Sequence, residues 1–257
     1  QIHNHKEEVG KLLGWDRPLE IQIVKKTTTR PSRVGEVELL KKCVSNEEFD
    51  EGLKKGDIIA PYTLESNGHR YGYHRSSFEV GGNPDVMILD ASVYQIPELK
   101  KAFPASFASA MIASRQYRED NFRIRKSESD QEIESRLNLG DGHVALLIGM
   151  ANQAGITHHD FVHPELAQHV SQLAENMKAG SDYSSQATAV AKFTNSEPVV
   201  SMFTGLASNP SEKHIDELVV LKPEHRVSGK GVPLTSTPFF KLGVDMLKSA
   251  LHEHQAA

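Results

Sequence analysis

The sequence predicts an α/β fold: a parallel-sheet core with helices on both faces, followed by a C-terminal extension. Three observations carry this. Strand-like and helix-like segments alternate from about residue 19 to 178. The segment 86–90 (V-M-I-L-D) is apolar until its final acid, as a strand buried on both faces is, and 107–113 is a second buried-strand candidate. From residue 179 the texture changes, with a linker-like G-S-D-Y-S-S at 180–185 and several proline and glycine breaks beyond it.

Taken in order, residues 2–14 carry Ile2, Val9, Leu12 and Leu13 as a loose helical stripe, ended by Gly14. Residues 19–29 read as one strand, rich in β-branched side chains. Ser45, with Glu48 three residues on, forms a capping box for a helix that Gly56 stops. Residues 57–65 and 69–73 form a hairpin around Ser66-Asn67-Gly68. A helix is expected over 96–103. The 115–134 stretch is densely charged, and 132–150 is helical with an interruption at Leu139-Gly140-Asp141-Gly142. The last core strand is expected at 156–162 and the last core helix at 164–177. Beyond them, strands are expected at 199–203 and 218–221, with a closing helix at 238–252.

The chain has 257 residues, a net charge of -5 and a single cysteine, Cys43. That length suits one large domain or one domain with an appendage. The negative balance argues against bulk nucleic-acid binding, and no apolar run approaches the roughly 18 residues that cross a bilayer. One cysteine excludes an internal disulfide framework and suits a reducing compartment, so the cytoplasm is the expected location.

The most specific stretch is T-T-T-R-P-S-R-V-G-E at 27–36. It delivers a strand end into a turn stiffened by Pro31, with Arg30 and Arg33 beside it. Two guanidinium forks on a rigid turn suit a phosphate dianion. Taken alone, the stretch is also compatible with a strand end and a solvated basic turn.

This stretch resembles the S-x-T-T-R-x-x-R-x-G-E segment of guanylate kinases, and further matches follow it in order. V-S-N-E-E-F at 44–49 is similar to the family's V-S-x-E-E-F, and Tyr71-Gly72 to its Y-G. Asp90 stands where the family's L-x-I-D strand ends. Arg125 through Leu137 resembles R-G-T-[ED]-S-x-x-x-I-x-x-R-L, and 159–166 the closing D-x-V-I-x-N-x-D-L. The resemblance implies a P-loop kinase-like core over 1–178, with an acceptor-binding subdomain at about 30–80 and a lid at about 115–132. Residues 179–257 form an extension, for which core capping and homo-oligomer formation both stay open. It also implies ATP and Mg2+ as cofactors and a phosphorylated small molecule as partner, without nucleic acid or membrane. Arg30, Arg33 and Tyr71 would hold the acceptor phosphate, and Arg125 and Arg136 the transferring one. Arginines converging from distant segments suit phosphoryl transfer, which is mainly positioning and charge neutralisation. Each arginine on its own is equally compatible with a structural ion pair.

The departures narrow the expectation. Ala60 stands where the family places a base-reading glutamate, Tyr73 follows Y-G in place of a serine, Lys26 replaces the serine opening the motif, and Lys41 falls near the acceptor-site tyrosine. Base-reading groups are lost and cations added around the acceptor, with Lys26, Lys41 and Asp90 among the expected substrate-binding residues, so GMP is expected to be a poor acceptor. A phosphorylated sugar or an acceptor with more than one phosphate is favoured. The phosphate loop G-x-x-x-x-G-K-[ST] does not occur in the chain, and its expected place is just upstream of Gln1. The alternative from another class is a non-catalytic guanylate kinase-like module that holds a phosphorylated or acidic partner. Presence of both lid-side arginines favours the enzyme. His158, His159, Asp160 and His163 lack the spacing of a zinc site, so no protein-held metal cluster is expected.

Overall fold

The strand expected over 19–29 divides into two, and the division separates two sheets. β1 (Ile21–Ile23) lies parallel to β6 (Val86–Ile88), with Ile21 opposite Val86. The Val24 amide prolongs that pairing by donating to the Ile88 carbonyl at 2.9 Å. The chain then crosses at exposed Lys25 into β2 (Lys26–Thr28), which belongs to a separate four-stranded sheet. There β2 pairs in parallel with β3 (Lys41–Cys43) and antiparallel with β5 (Arg70–His74), and β5 pairs antiparallel with β4 (Ile58–Thr63).

The structure is a computed structural model that describes residues 5–32, 41–64, 68–79, 84–125, 129–151, 160–207, 214–221 and 238–256. It divides the chain into two compact units, Gln1–Ser106 with Val227–Ala257, and Phe107–Arg226. The expected 178/179 division falls inside the second unit. Among the described residues, three small sheets stand where a single parallel sheet was expected. The β4–β5 hairpin makes one of them mixed, and the 107–113 strand pairs elsewhere in sequence, not with 86–90.

In the first unit, α1 (Lys6–Leu12) contributes fully buried Val9 to a cluster with Leu19, Ile21, Val244 and Leu247. The last two come from α9 (Pro238–Ala256), the expected closing helix. Arg17 grips both oxygens of Asp85 at 2.7 and 2.6 Å, and Asp85 also accepts the Glu20 amide, which fixes the entry to the β1–β6 pair. That guanidinium holds the Asp85 carboxyl below its ordinary range. The β6 strand is parallel as expected but not buried on both faces: Met87 is 40% exposed.

α2 (Asn46–Lys55) starts at the expected box. Ser45 Oγ accepts the Glu48 amide, the Glu48 carboxylate accepts the Ser45 amide, and Gly56 closes the helix at φ 73°. Its buried Phe49 lies under β5 at Gly72, where a side chain would collide with Ile58 Cγ2 at 2.5 Å. α3 (Ile96–Ala102) follows a short 3-10 turn at Val93–Gln95.

In the second unit, β7 (Ser109–Ala113) pairs in parallel with β8 (Glu217–Leu221), the strand expected at 218–221. α4 (Arg115–Arg125) leads to α5 (Asp130–Ala151), which runs through the expected break at 139–142. The glycines there serve packing. A Cβ on Gly142 would stand 2.6 Å from Thr194 Cγ2, and one on Gly140 would stand 2.4 Å from the Arg118 guanidinium. From Asp141 onward α5 is buried almost all round, enclosed by α6 (Pro164–Ala179), α7 (Ser184–Thr194) and α8 (Glu197–Ala207). The strand expected at 199–203 is the middle of α8. Val199, Phe203 and Leu206 are its buried residues, at helical spacing, and the Ser196 hydroxyl accepts the Val199 amide at its start. The strand expected at 156–162 falls mostly outside the described residues. Phe161 and Val162 are buried.

Candidate functional site

Side chains on a sheet alternate between faces, and residues opposite one another across strands share a face. In the four-stranded sheet of the first unit, Lys26 lies opposite both Lys41 and Tyr73, and Thr28 opposite both Cys43 and Tyr71. One face therefore presents Lys26, Thr28, Lys41, Cys43, Tyr71 and Tyr73. The other carries Ile58 and Gly72 against Phe49 of α2.

At the centre of the first face is Lys26. The residue is 7% exposed, yet its Nζ reaches one carboxylate oxygen, Asp90 Oδ2, only at 3.4 Å, and it stands 6.0 Å from the Tyr73 ring centroid. Burial pushes the Lys26 ammonium below its ordinary pKa; Asp90 offsets part of that, and Lys41 adds to it. Asp90 lies two residues past β6 and its side chain is 77% exposed. Its backbone is fixed, because the buried Tyr73 hydroxyl donates to the Asp90 carbonyl at 2.6 Å. Burial raises the Tyr73 phenol, so it stays a donor at all ordinary pH.

Arg30 is buried at the end of β2, where its amide donates to the Thr28 hydroxyl at 3.0 Å. Tyr71 is buried and stacks on Tyr62 with ring centroids 5.1 Å apart. Of the residues expected from sequence, the structure thus gathers Lys26, Lys41, Tyr71 and Asp90 on or beside one sheet face, with Arg30 two residues past the end of β2. Arg33 lies outside the described residues. Tyr62 and Thr28 were not singled out from the sequence. Thr28 was legible in principle, two residues from Lys26 on a strand; Tyr62 was not, because a β-bulge turns it onto this face.

Arg125 and Arg136 belong to the second unit. Arg125 is the last residue of α4, and its side chain is outside the described set. Arg136 is exposed on α5, with its guanidinium 5.8 Å from the Phe122 ring centroid.

The ionic node in that unit is not visible from the sequence. Asp141 is fully buried and ion-paired to Arg115 through Oδ2 and to Arg118 through Oδ1, the latter at 2.6 Å. It also accepts the His163 amide at 3.0 Å. Arg115 reaches Glu134 at 2.6 Å and Asn138 at 3.1 Å, and Arg118 donates to the Phe161 carbonyl at 2.6 Å. Nearby, burial and then the Arg118 charge push the His143 imidazole down to about 4.

Among the described residues, no group of three or more His, Cys, Asp or Glu is placed to hold a metal ion, and no helix is long and apolar enough to cross a membrane. His158 and His159 lie outside the described residues. The chemistry available on the Lys26 face is that of anion binding. A half-satisfied buried ammonium beside a second lysine attracts an anion, and the adjacent aromatic pair supplies an apolar wall.

No family model and no curated protein matches the chain. Among solved structures it is similar to the guanylate kinase from Anaplasma phagocytophilum, at 17% identity over 80% of this chain and 92% of that one, with a TM-score of 0.36.

Proposed function

We propose that the Lys26 face of the first unit binds a phosphorylated small molecule, and that the protein is a phosphotransferase of the guanylate kinase-like kind acting on it. The observation that supports this most is Lys26 itself. A buried ammonium with one long contact to an exposed carboxylate keeps donor capacity for an incoming anion, and Lys41 adds a second cation on the same face. Arg30, buried just past β2, extends the positive field, and the sequence resemblance adds Arg33 to it. Asp90, exposed and tethered through its backbone, swings away or bonds ligand hydroxyls when the phosphate docks.

ATP as donor, Mg2+ as its partner, and Arg125 with Arg136 as contacts to the transferring phosphate rest on the sequence resemblance alone. Ala60 offers no side-chain acceptor for a base, and Lys26 occupies the first position of the motif, so the acceptor is a sugar phosphate or another phosphorylated molecule in preference to GMP.

Equilibrium binding of inorganic phosphate, GMP and ribose 5-phosphate, with phosphotransfer assayed on the full-length protein, tests the reading. Binding of phosphate and of the sugar phosphate, with weak binding of GMP, supports it. Selective and efficient phosphorylation of GMP, or no affinity for any phosphate, overturns it. Binding without turnover, unchanged by Arg136→Ala, favours the second reading, a non-catalytic module that holds a phosphorylated partner.

A further inference from the structure

Tyr62 should not be on the Lys26 face at all. Ile58 and Ile59 pair with His74 and Tyr73, so Ile59 shares the face of Tyr73 and Lys26. Strict alternation would send residue 62, three further on, to the opposite face, against α2. Instead Tyr62 pairs with Tyr71, because Ala60 and Pro61 together oppose the single residue Gly72. This β-bulge reverses the alternation and turns Tyr62 onto Tyr71.

The bulge is held in a costly conformation. Ala60 has φ 46°, the left-handed region that an alanine avoids, and it is 4% exposed. Pro61 brings no amide that the ladder would need. The Ala60 carbonyl, turned out of the ladder, accepts from Gln95 Nε2 at 2.6 Å. Gln95 is 1% exposed, and its other atom, Oε1, accepts the Ser92 amide at 3.1 Å, so the clamp is anchored at both ends of its amide. Ser92 also meets the Tyr62 hydroxyl. One short segment, 92–95, thus holds both the bulge and the ring that the bulge re-aims.

We infer that Gln95 is a positioning residue for ligand selectivity: by clamping the Ala60 bulge it places the Tyr62 ring beside Tyr71 as the wall that receives the carbon skeleton of the phosphorylated ligand. This rests on the proposed phosphate site. The lysines attract the phosphate whatever it is attached to, whereas the aromatic pair distinguishes a sugar phosphate from a bare phosphate. Burial, the main cause, has pushed the Tyr62 phenol up to about 12, in keeping with a ring packed into the site wall.

The test compares affinities for inorganic phosphate and ribose 5-phosphate in the full chain and in Gln95→Leu, Tyr62→Leu and the double variant Gln95→Leu with Ala60→Gly. Gln95→Leu is expected to weaken ribose 5-phosphate about tenfold while inorganic phosphate stays within about twofold, the size of one lost aromatic contact. Glycine takes φ 46° without cost, so the double variant is expected to recover most of the selectivity. Ultraviolet titration of the tyrosines should show the Tyr62 phenol moving back toward its ordinary value in Gln95→Leu alone. Should Gln95→Leu not fold, Tyr62→Leu, which leaves the bulge in place, must lose the same selectivity. Equal effects of Gln95→Leu on both ligands, or unchanged selectivity in Tyr62→Leu, overturn the inference and leave the phosphate site standing. Failure of inorganic phosphate to bind the native chain overturns the site itself.

Discussion

Each unit contains a buried meeting of cations and a carboxylate, and the two are built in opposite senses. In the second unit the acid is inside: Asp141 is fully buried and both its oxygens are taken, by Arg115, Arg118 and the His163 amide. In the first the cation is inside: Lys26 is 7% exposed, while the Asp90 side chain it reaches is 77% exposed and 3.4 Å away. A carboxylate with both oxygens taken has nothing left to offer a ligand and serves to tie α4, α5 and the 160–163 segment together, while Arg118 Nε is left buried without a hydrogen bond. A buried ammonium with donors to spare is poised to accept an anion. The difference between structure and site lies in which partner is buried and how completely it is satisfied.

Asp141→Ala removes the buried carboxylate that two largely buried guanidinium groups share, and it should destabilise the second unit by about 3–5 kcal/mol in chemical denaturation. A loss under about 1 kcal/mol would show that the node is no more than a surface ion pair. His143 sharpens the picture through pH. Its folded pKa, about 4, lies below its ordinary 6.5, so the unfolded chain takes up the proton first. Stability is therefore full above pH 6.5 and is lost as pH falls toward 4, by on the order of 3 kcal/mol. His143→Gln should flatten that window, and an unchanged pH profile would mean that the imidazole is solvated. Gly142→Ala is the smallest test. The helix gains about 1 kcal/mol from alanine. Against this, the new Cβ meets Thr194 Cγ2 at 2.6 Å, and the Thr194 hydroxyl is held by the Val190 and Ala191 carbonyls. Overpacking of about 1–3 kcal/mol should win, for a net loss of about 1 kcal/mol in thermal melts.

What was legible in the sequence follows the range of the interactions concerned. The Ser45–Glu48 box, the Gly56 stop and the hairpin of β4 and β5 are local, and residue spacing alone reveals them. Gly140 and Gly142 look like breakers until the helices that need their bareness are in place, with partners as far off as Thr194. The 199–203 run is too short to separate strand from helix by periodicity, and only its burial at Val199, Phe203 and Leu206 decides. At the candidate site, Lys26, Lys41, Tyr71, Arg30 and Asp90 stand out through one motif and its continuation. Tyr62 does not, because a bulge reverses its face and the residue that holds the bulge, Gln95, is 35 positions away. Arg115 and Arg118 were hidden in a charged run, and Asp141 in an L-G-D-G that reads as a helix break, until α4 packs on α5.

The central claim is that Lys26 is buried for binding and not for stability, and Lys26→Met tests it most directly. Methionine keeps the length and apolar stem of the side chain and removes the charge whose burial opposes folding. Melting temperature and inorganic phosphate affinity should be measured on the same sample. We expect the melting temperature to hold or rise while phosphate affinity falls by at least about tenfold, the loss of one charge-assisted hydrogen bond. A marked drop in melting temperature with phosphate binding unchanged would make Lys26 a structural partner of Asp90 and contradict the account.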